Sequence, residues 1–424
     1  MKKLTVIGLG YVGLPLTLRL SQLNYRVVAI DIDAEKIKSL IKKKLPFAQN
    51  EPHFKNYLKR ETKRKTITFS SSFEDIKNSQ VIFVCVDTPI YDKKPNYKSL
   101  TAALGSTAKF LRRNSIVVIE STVSPRTCVN LVIPTLEKGS NLKINKDFFV
   151  AAVPERIRPN HIFEQLTTLP RVIGISDEKI KHEMKKFYQD ITSGALDFVD
   201  LTTAETVKTV ENTFRDVNIA FANQMALACE ELGVNIWKVR ELVNKSPFHD
   251  LHKPSPGVGG HCIPKDPWLL LSSVGTEHLS IVKDARKTND SMPAHLLELI
   301  KITLREENIN PKKAKVCVLG YSYVEDSDDV RNSPSQMLLD LLKLCKIKYT
   351  IHDPNVEGLN TNLLGKIKDA DCIVLTVGHK EYKHLSLKKL SKLVKNKILV
   401  DGKNYFDKSL AQKHGFIYKG IGNL

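Results

Sequence analysis

Leu4-Thr-Val-Ile-Gly-Leu-Gly-Tyr-Val-Gly13 is the stretch on which the architecture turns. The apolar run up to Ile7 reads as a short strand. An apolar-periodic helix is expected from Leu14 to Leu23, followed by a second strand, Tyr25–Ile30, that ends at Asp31. Gly8, Gly10 and Gly13 therefore form G-x-G-x-x-G between strand and helix, with an acid 18 residues after the last glycine. Such glycines allow a tight turn and close approach of a pyrophosphate, whose charge is attracted to the helix N-terminus. Asp31 can accept hydrogen bonds from a ribose diol and repels a 2′-phosphate, so the cofactor expected is NAD rather than NADP. The glycine pattern alone is weak, but both strands, the helix and the acid surround it here.

Working outward, strands are expected at Val81–Val86, leading to Asp87-Thr88-Pro89, and at Ile116–Ile119, leading to Glu120-Ser-Thr-Val-Ser-Pro125. Both run into polar residues at a carboxyl edge, where open α/β sheets bind ligands. Phe148–Val153, ending at Pro154-Glu155-Arg156, continues the series. The last third repeats the theme with Lys315–Leu319 before Gly320, Tyr349–Asp353, Cys372–Val377, and Ile398–Val400 before Asp401-Gly402-Lys403. It lacks a G-x-G-x-x-G, so a second NAD site is not expected there. Between the halves, Val207, Val210, Phe214, Val217, Phe221, Met225, Ala228 and Leu232 recur at helical spacing. One amphipathic helix of roughly 40 Å is expected, its apolar stripe serving packing and a dimer core. Lys208, Asn212 and Arg215 share another face at i, i+4 and i+7. The fold class expected is α/β: two Rossmann-like domains joined by a long central helix and a helical dimerisation region. The boundaries drawn are 1–199, 200–305 and 306–424.

With 424 residues, 42% hydrophobic and 26% charged, the chain has length for two or three cores. No signal peptide or bilayer-spanning run is expected, and the setting read from this is cytoplasmic. Seven scattered cysteines without C-x-x-C spacing argue for thiols rather than a disulfide framework, and no metal cluster is expected. The net charge of +19 is spread along the chain, densest at Lys59–Lys65 and Lys42–Lys44, with no basic stripe interleaved with aromatics. Nucleic acid is therefore not the expected partner; an anionic small molecule fits better.

The remaining chemistry lies in Gly257-Val-Gly-Gly-His-Cys-Ile-Pro-Lys-Asp-Pro-Trp268. Cys262 sits in a glycine-rich turn beside His261, with Lys265 and Asp266 just beyond. Taken alone, it reads equally as a buried structural thiol or as a nucleophile activated by nearby positive charge.

The ordered series of motifs resembles the UDP-glucose/GDP-mannose dehydrogenase family over essentially the whole chain. It comprises the glycine fingerprint, Val86-Asp-Thr-Pro89, Glu120-Ser-Thr-Val-Ser-Pro125, Pro154-Glu-Arg156, Lys208–Asn218 and Gly259-Gly-His-Cys-Ile-Pro-Lys-Asp266. Glu211–Asn223 and the Cys262 loop are most similar to the branch acting on UDP-N-acetyl-mannosamine. The resemblance implies a two-step, four-electron oxidation of a sugar C6 alcohol to a carboxylate, with NAD as acceptor and a UDP-sugar as substrate. By the same resemblance Cys262 forms a thiohemiacetal and then a thioester, and Lys208 and Asn212 stabilise the developing oxyanion. Asp266 and Thr122 position a water, and Glu155 is the general base of hydrolysis. Cofactor contacts are implied for Gly8, Gly10, Tyr11, Val12, Gly13, Asp31, Thr88, Thr122 and Arg331. Substrate contacts are implied for Glu155, Arg156, Lys208, Asn212, Arg215, Gly259 and Lys403. His261 is expected to pack the loop, and a homodimer is expected.

The chain departs from the family pattern at several points. Phe248 stands near a usual arginine, Val324 where Gly-x-Ala-Phe-Lys has lysine, and Lys403 where arginine is common. Arg126 and Asn160 replace frequent glycines. These leave the sugar open between UDP-N-acetyl-mannosamine, UDP-N-acetyl-glucosamine and UDP-glucose. They also leave open a catalytically weakened NAD-binding sensor.

Overall fold

A computed structural model describes residues 3–45, 54–157, 161–275 and 277–424, so Asn160 lies outside the described residues. The chain divides into two compact units, Met1–Glu211 with Trp268–Gly275, and Asn212–Pro267 with Thr276–Leu424.

The first unit carries β1 (Lys3–Ile7), β2 (Arg26–Ile30), β3 (Ile67–Ser70), β4 (Val81–Val84), a small hairpin of β5 (Ile90–Tyr91) and β6 (Lys94–Pro95), β7 (Ser115–Ile119), β8 (Phe148–Ala152), β9 (Arg171–Ile175) and β10 (Leu196–Asp200). The main sheet runs β10-β9-β8-β7-β4-β1-β2-β3. Every neighbour is parallel except β8 and β9. With the hairpin set aside, its first six strands follow the doubly wound order 3-2-1-4-5-6. Val-Ile-Phe-Val in β4 and Ser-Ile-Val-Val-Ile in β7 are buried throughout, as strands covered on both faces must be. Strand order reverses between β1 and β4, which places the Gly8–Gly13 turn and Val86-Asp-Thr88 at the topological switch.

The helices that bear on function are α1 (Gly13–Gln22), α2 (Lys181–Ile191), α3 (Leu201–Leu232), α4 (Asp266–Val274), α5 (Ser280–Glu306) and α6 (Pro334–Leu344). In the second unit a parallel sheet is built from β11 (Lys315–Leu319), β12 (Lys348–His352), β13 (Cys372–Leu375), β14 (Ile398–Asp401) and β15 (Ile417–Gly420). Its order, β12-β11-β13-β14-β15, is 2-1-3-4-5, also doubly wound. Ala222 and Ala226 of α3 pack with Met292, Leu296 and Ile300 of α5 and Val316 and Val318 of β11 in one core.

The long helix forms as expected, and within the chain it buries a face other than the apolar stripe. α3 has 32 residues, about 48 Å of helix. The expected stripe is not buried within the chain: Val210, Phe214, Phe221 and Leu232 are exposed, Phe214 by 67%. The face that is buried carries Glu205, Thr209, Thr213, Asp216, Ala220, Asn223 and Ala226. Several of the polar groups buried there have their partners built in. Asp216 Oδ1 meets Arg286 Nη1 at 2.5 Å and accepts from Asn289 Nδ2 at 2.8 Å, and Asn223 Nδ2 donates to Asn289 Oδ1 at 2.9 Å. Removing one member of such a buried pair costs about 3–5 kcal/mol.

Candidate active site

In the first unit the glycine turn has the shape its sequence demands. Gly8 has φ +88°, and a β-carbon there would lie 2.6 Å from Cys85 O; one on Gly13 would lie 1.9 Å from Gly8 O. A β-carbon on Gly10 would meet nothing within 4 Å, so that side of the turn is open, as a phosphate cradle requires. Tyr11 and Val12 lead into α1, whose N-cap position, Val12, has no side-chain cap and leaves amide donors for an anion. Asp31 ends β2, buried: Oδ2 accepts from Leu9 N at 2.9 Å and pairs with Lys36 Nζ at 2.7 Å, while Oδ1 accepts from Asp33 N. Thr88 Oγ1 donates to Thr122 O at 2.6 Å and Ser121 Oγ to Val86 O at 2.6 Å, tying the exits of β4 and β7 together. Thr122 itself is half-buried. The open cradle, uncapped helix and oriented acid fit a dinucleotide.

Glu155, after β8, is buried in a charged cluster that motif reading did not reveal. Its Oε1 accepts from Arg156 N at 2.7 Å and Ile157 N at 3.2 Å, and pairs with Arg171 of β9. Glu120, after β7, is 3% exposed and accepts from Tyr188 Oη of α2 at 2.7 Å. Burial first, and then the charge of Glu155, raise the Glu120 carboxyl to about 8 against the pull of Arg171 and Tyr188. The same two glutamates hold Arg171 above its ordinary value despite burial, and burial beside them pushes the Cys85 thiol up. Arg171 lies 16 residues beyond Glu155 on the neighbouring strand and Tyr188 on a helix, so no local pattern links them. Arg156 pairs with Glu211 and donates to Pro170 O at 3.1 Å. Lys208, half-buried on α3, has no ion-pair partner among the described residues, so its charge is open to a ligand oxygen.

In the second unit Cys262 is exposed. Its carbonyl accepts from Lys265 N at 3.0 Å and Asp266 N at 2.8 Å, so it stands at the mouth of α4. The partial positive charge of a helix N-terminus favours anionic sulfur. His261 Nδ1 lies 4.0 Å from the sulfur. Asp266, expected to position a water, is fully buried: Asn212 Nδ2 donates to Oδ2 at 2.5 Å, while Oδ1 lies 2.9 Å from Lys265 Nζ without a hydrogen bond. This fixes the rotation of the Asn212 amide and leaves its second N–H to donate. Arg215 lies one turn further along α3, half-buried. Gly259 packs on Tyr323, where a β-carbon would lie 2.5 Å from Tyr323 Cβ. Arg331 is held by Asp329 through Nε at 2.9 Å and Nη2 at 2.6 Å. Lys403 N donates to Asp401 Oδ1 at 2.9 Å, its ammonium lies 4.0 Å from Glu325, and burial lowers its pKa. Phe248 is 89% exposed and Val324 partly so.

Asp353 is the counterpart of Asp31 in this half. It is fully buried, and its Oδ2 accepts from Tyr321 N at 2.7 Å, Ser322 N at 2.9 Å and His379 Nε2 at 3.0 Å. Asp326 N donates to His379 Nδ1 at 3.0 Å, which assigns the ring proton to Nε2.

A glycine cradle at a switch point, an acid at the end of the next strand and a thiol at a helix mouth define a nucleotide-dependent dehydrogenase class. The chain belongs to the UDP-glucose/GDP-mannose dehydrogenase family: residues 2–192 match its NAD binding domain, 202–291 its central domain and 317–408 its UDP binding domain. It is 36% identical to the UDP-N-acetyl-D-mannosamine dehydrogenase of Pyrococcus horikoshii over 420 residues, 99% of each chain. The solved structure of the UDP-D-ManNAc dehydrogenase from that organism superposes with a TM-score of 0.94, again over 99% of both chains. The dehydrogenase of the same name in Methanococcus vannielii is 34% identical, covering 100% of this chain and 97% of its own. The UDP-N-acetyl-mannosamine dehydrogenase of Staphylococcus aureus gives a TM-score of 0.88 at 30% identity, covering 100% and 98%. NAD is the cofactor of the N-terminal domain. Among the described residues no helix is long and apolar enough to cross a membrane.

Proposed function

We propose that this chain oxidises the C6 alcohol of UDP-N-acetyl-D-mannosamine to the carboxylate through Cys262. The observation that carries the reading is the exposed Cys262 at the mouth of α4, four residues before the buried Asp266 that orients Asn212. Gly8, Gly10, Tyr11, Val12, Gly13, Asp31, Thr88 and Thr122 would hold NAD, which when bound would supply the hydride acceptor, one molecule for each of two oxidations. After the first oxidation Cys262 sulfur attacks the aldehyde carbon, forming a C–S bond while the carbonyl oxygen becomes an alkoxide. Lys208 and the unspent N–H of Asn212 stabilise that oxygen's charge. The second oxidation leaves a thioester on Cys262. Glu155 takes a proton from the water that attacks it, and the carboxylate leaves as the thiolate is restored. Arg156, Arg215, Gly259, Arg331 and Lys403 hold substrate or cofactor in this reading. The functional division follows 1–199, 200–305 and 306–424, and the enzyme works as a cytoplasmic homodimer through the exposed face of α3.

The test is turnover of purified protein with NAD and each of UDP-N-acetyl-mannosamine, UDP-N-acetyl-glucosamine and UDP-glucose. Two NADH per uronate are expected with the first. Cys262→Ser is expected to stop acid formation while NAD binding is kept. Absence of NADH with every UDP-N-acetylhexosamine refutes the reading.

A further inference from the structure

The glycines ahead of Cys262, Gly259 and Gly260, carry no side chains, and in the second unit their backbone is held by the segment between β11 and α6. Both backbone groups of Gly260 are taken by consecutive residues of that segment: Gly260 N donates to Arg331 O at 2.8 Å, and Asn332 Nδ2 donates to Gly260 O at 3.0 Å. Tyr323 forms the wall. A β-carbon on Gly259 would lie 2.5 Å from Tyr323 Cβ and 2.8 Å from Asn332 O, and one on Gly260 would lie 2.7 Å from the Tyr323 ring. The two glycines therefore let the turn lie flat against that side chain, two and three residues ahead of the thiol.

The segment is itself anchored at the carboxyl edge of the parallel sheet. Tyr321 N and Ser322 N are held by Asp353, Asp326 N by His379, and Tyr323 N donates to Asp329 O at 3.0 Å. This is the turn after the first strand, the place where open α/β sheets receive a nucleotide. A ligand on this turn would be joined to the backbone of the Cys262 loop by one ring and two hydrogen bonds.

We infer that Tyr323, supported by Asn332, is a positioning residue that makes the presentation of Cys262 depend on nucleotide occupancy of the C-terminal sheet. The inference rests on the reading above, that this domain binds the UDP moiety and Cys262 is the nucleophile. Its role is to join substrate binding to readiness of the sulfur, so that the thiol is set in place when a nucleotide sugar has arrived.

The experiment measures alkylation of Cys262 by iodoacetamide, read by mass spectrometry of its peptide, with and without UDP, beside calorimetric binding of UDP. In the wild type UDP is expected to change the rate about fivefold, the low end of site-to-site coupling. Tyr323→Phe keeps the wall and is expected to preserve both that response and kcat. Tyr323→Ala is expected to bind UDP while losing the response, with kcat falling far more than KM rises. Asn332→Gly, which keeps the left-handed backbone of Asn332 (φ +48°), is expected to weaken the response without unfolding the chain. A full response in Tyr323→Ala overturns the inference, as does a wild type that binds UDP with no change at Cys262. Failure of the wild type to bind UDP overturns the functional reading, and the inference with it.

Discussion

Replacing Glu120 by glutamine tests the buried cluster of the first unit through the pH dependence of stability. Glutamine keeps the oxygen that accepts from Tyr188 Oη but cannot titrate. In the folded protein the Glu120 carboxyl is raised from 4.5 to about 8, burial contributing most and Glu155 next. Groups from four directions face it: Glu155 after β8, Arg171 on β9, Tyr188 on α2 and Cys85 after β4. The folded state binds this proton more tightly than the unfolded state, so stability is greatest below the unfolded pKa. It falls as pH rises toward the folded value and levels off above it. The span from 4.5 to about 8 corresponds to on the order of 4–5 kcal/mol. Above pH 8 the wild type holds two carboxylates against the one Arg171 guanidinium; Glu120→Gln holds one. The assay is urea unfolding at pH 5.5, 7 and 8.5. Trp237→Phe in both proteins leaves Trp268, in the first unit, as reporter, since the chain has two tryptophans. Titrations common to the two proteins cancel in the difference. The variant is expected to gain on the wild type by several kcal/mol between pH 5.5 and 8.5. Parallel stability curves refute the argument.

Three further outcomes follow from other parts of the molecule. At Asp353, burial pushes the carboxyl up, but the His379 ring and the amides of Tyr321 and Ser322 outweigh it and bring the pKa from 3.8 to about 2. Its contribution is therefore present above the unfolded value and lost as pH falls through 2. Asp353→Asn is expected to cost about 2 kcal/mol at neutral pH, measured by denaturant unfolding of the second unit. Arg126 adopts φ +70°, a conformation that favours glycine, while its amide donates to the buried Glu205. Arg126→Gly is expected to stabilise by about 0.5–1 kcal/mol, and a lower melting temperature counts against this. On the exposed face of α3, Phe214→Glu is expected to convert a dimer to a monomer in analytical ultracentrifugation without altering the circular dichroism spectrum.

The parts of the site that could be read in one dimension are those whose chemistry is local. The Gly8–Gly13 turn, Asp31 after β2 and the Lys208–Asn212 pair follow from strand, turn and helix periods, and each lies in the expected element. The partners of Glu155 and Asp266 were not legible in the same way. Arg171 reaches Glu155 because β8 and β9 are neighbours in the sheet, and Asn212 reaches Asp266 across 54 residues. The apolar stripe of α3 shows the converse. Periodicity identifies an amphipathic helix, but it does not say which face turns inward when Arg286 and Asn289 stand ready to satisfy a polar one.

Local sequence was therefore enough for the two doubly wound sheets and the dinucleotide turn. Each depends on glycine geometry, strand burial or helix phase, which act over a few residues. Tertiary structure alone determined that burial beside Glu155 raises the Glu120 carboxyl while Arg171 pairs with Glu155, and that Asp353 is tied to Tyr321, Ser322 and His379. It also determined that Tyr323 stands behind the Cys262 turn. Those outcomes depend on burial and on pairing between residues far apart in the chain, and charge is costly to bury wherever the fold does not bring it a partner.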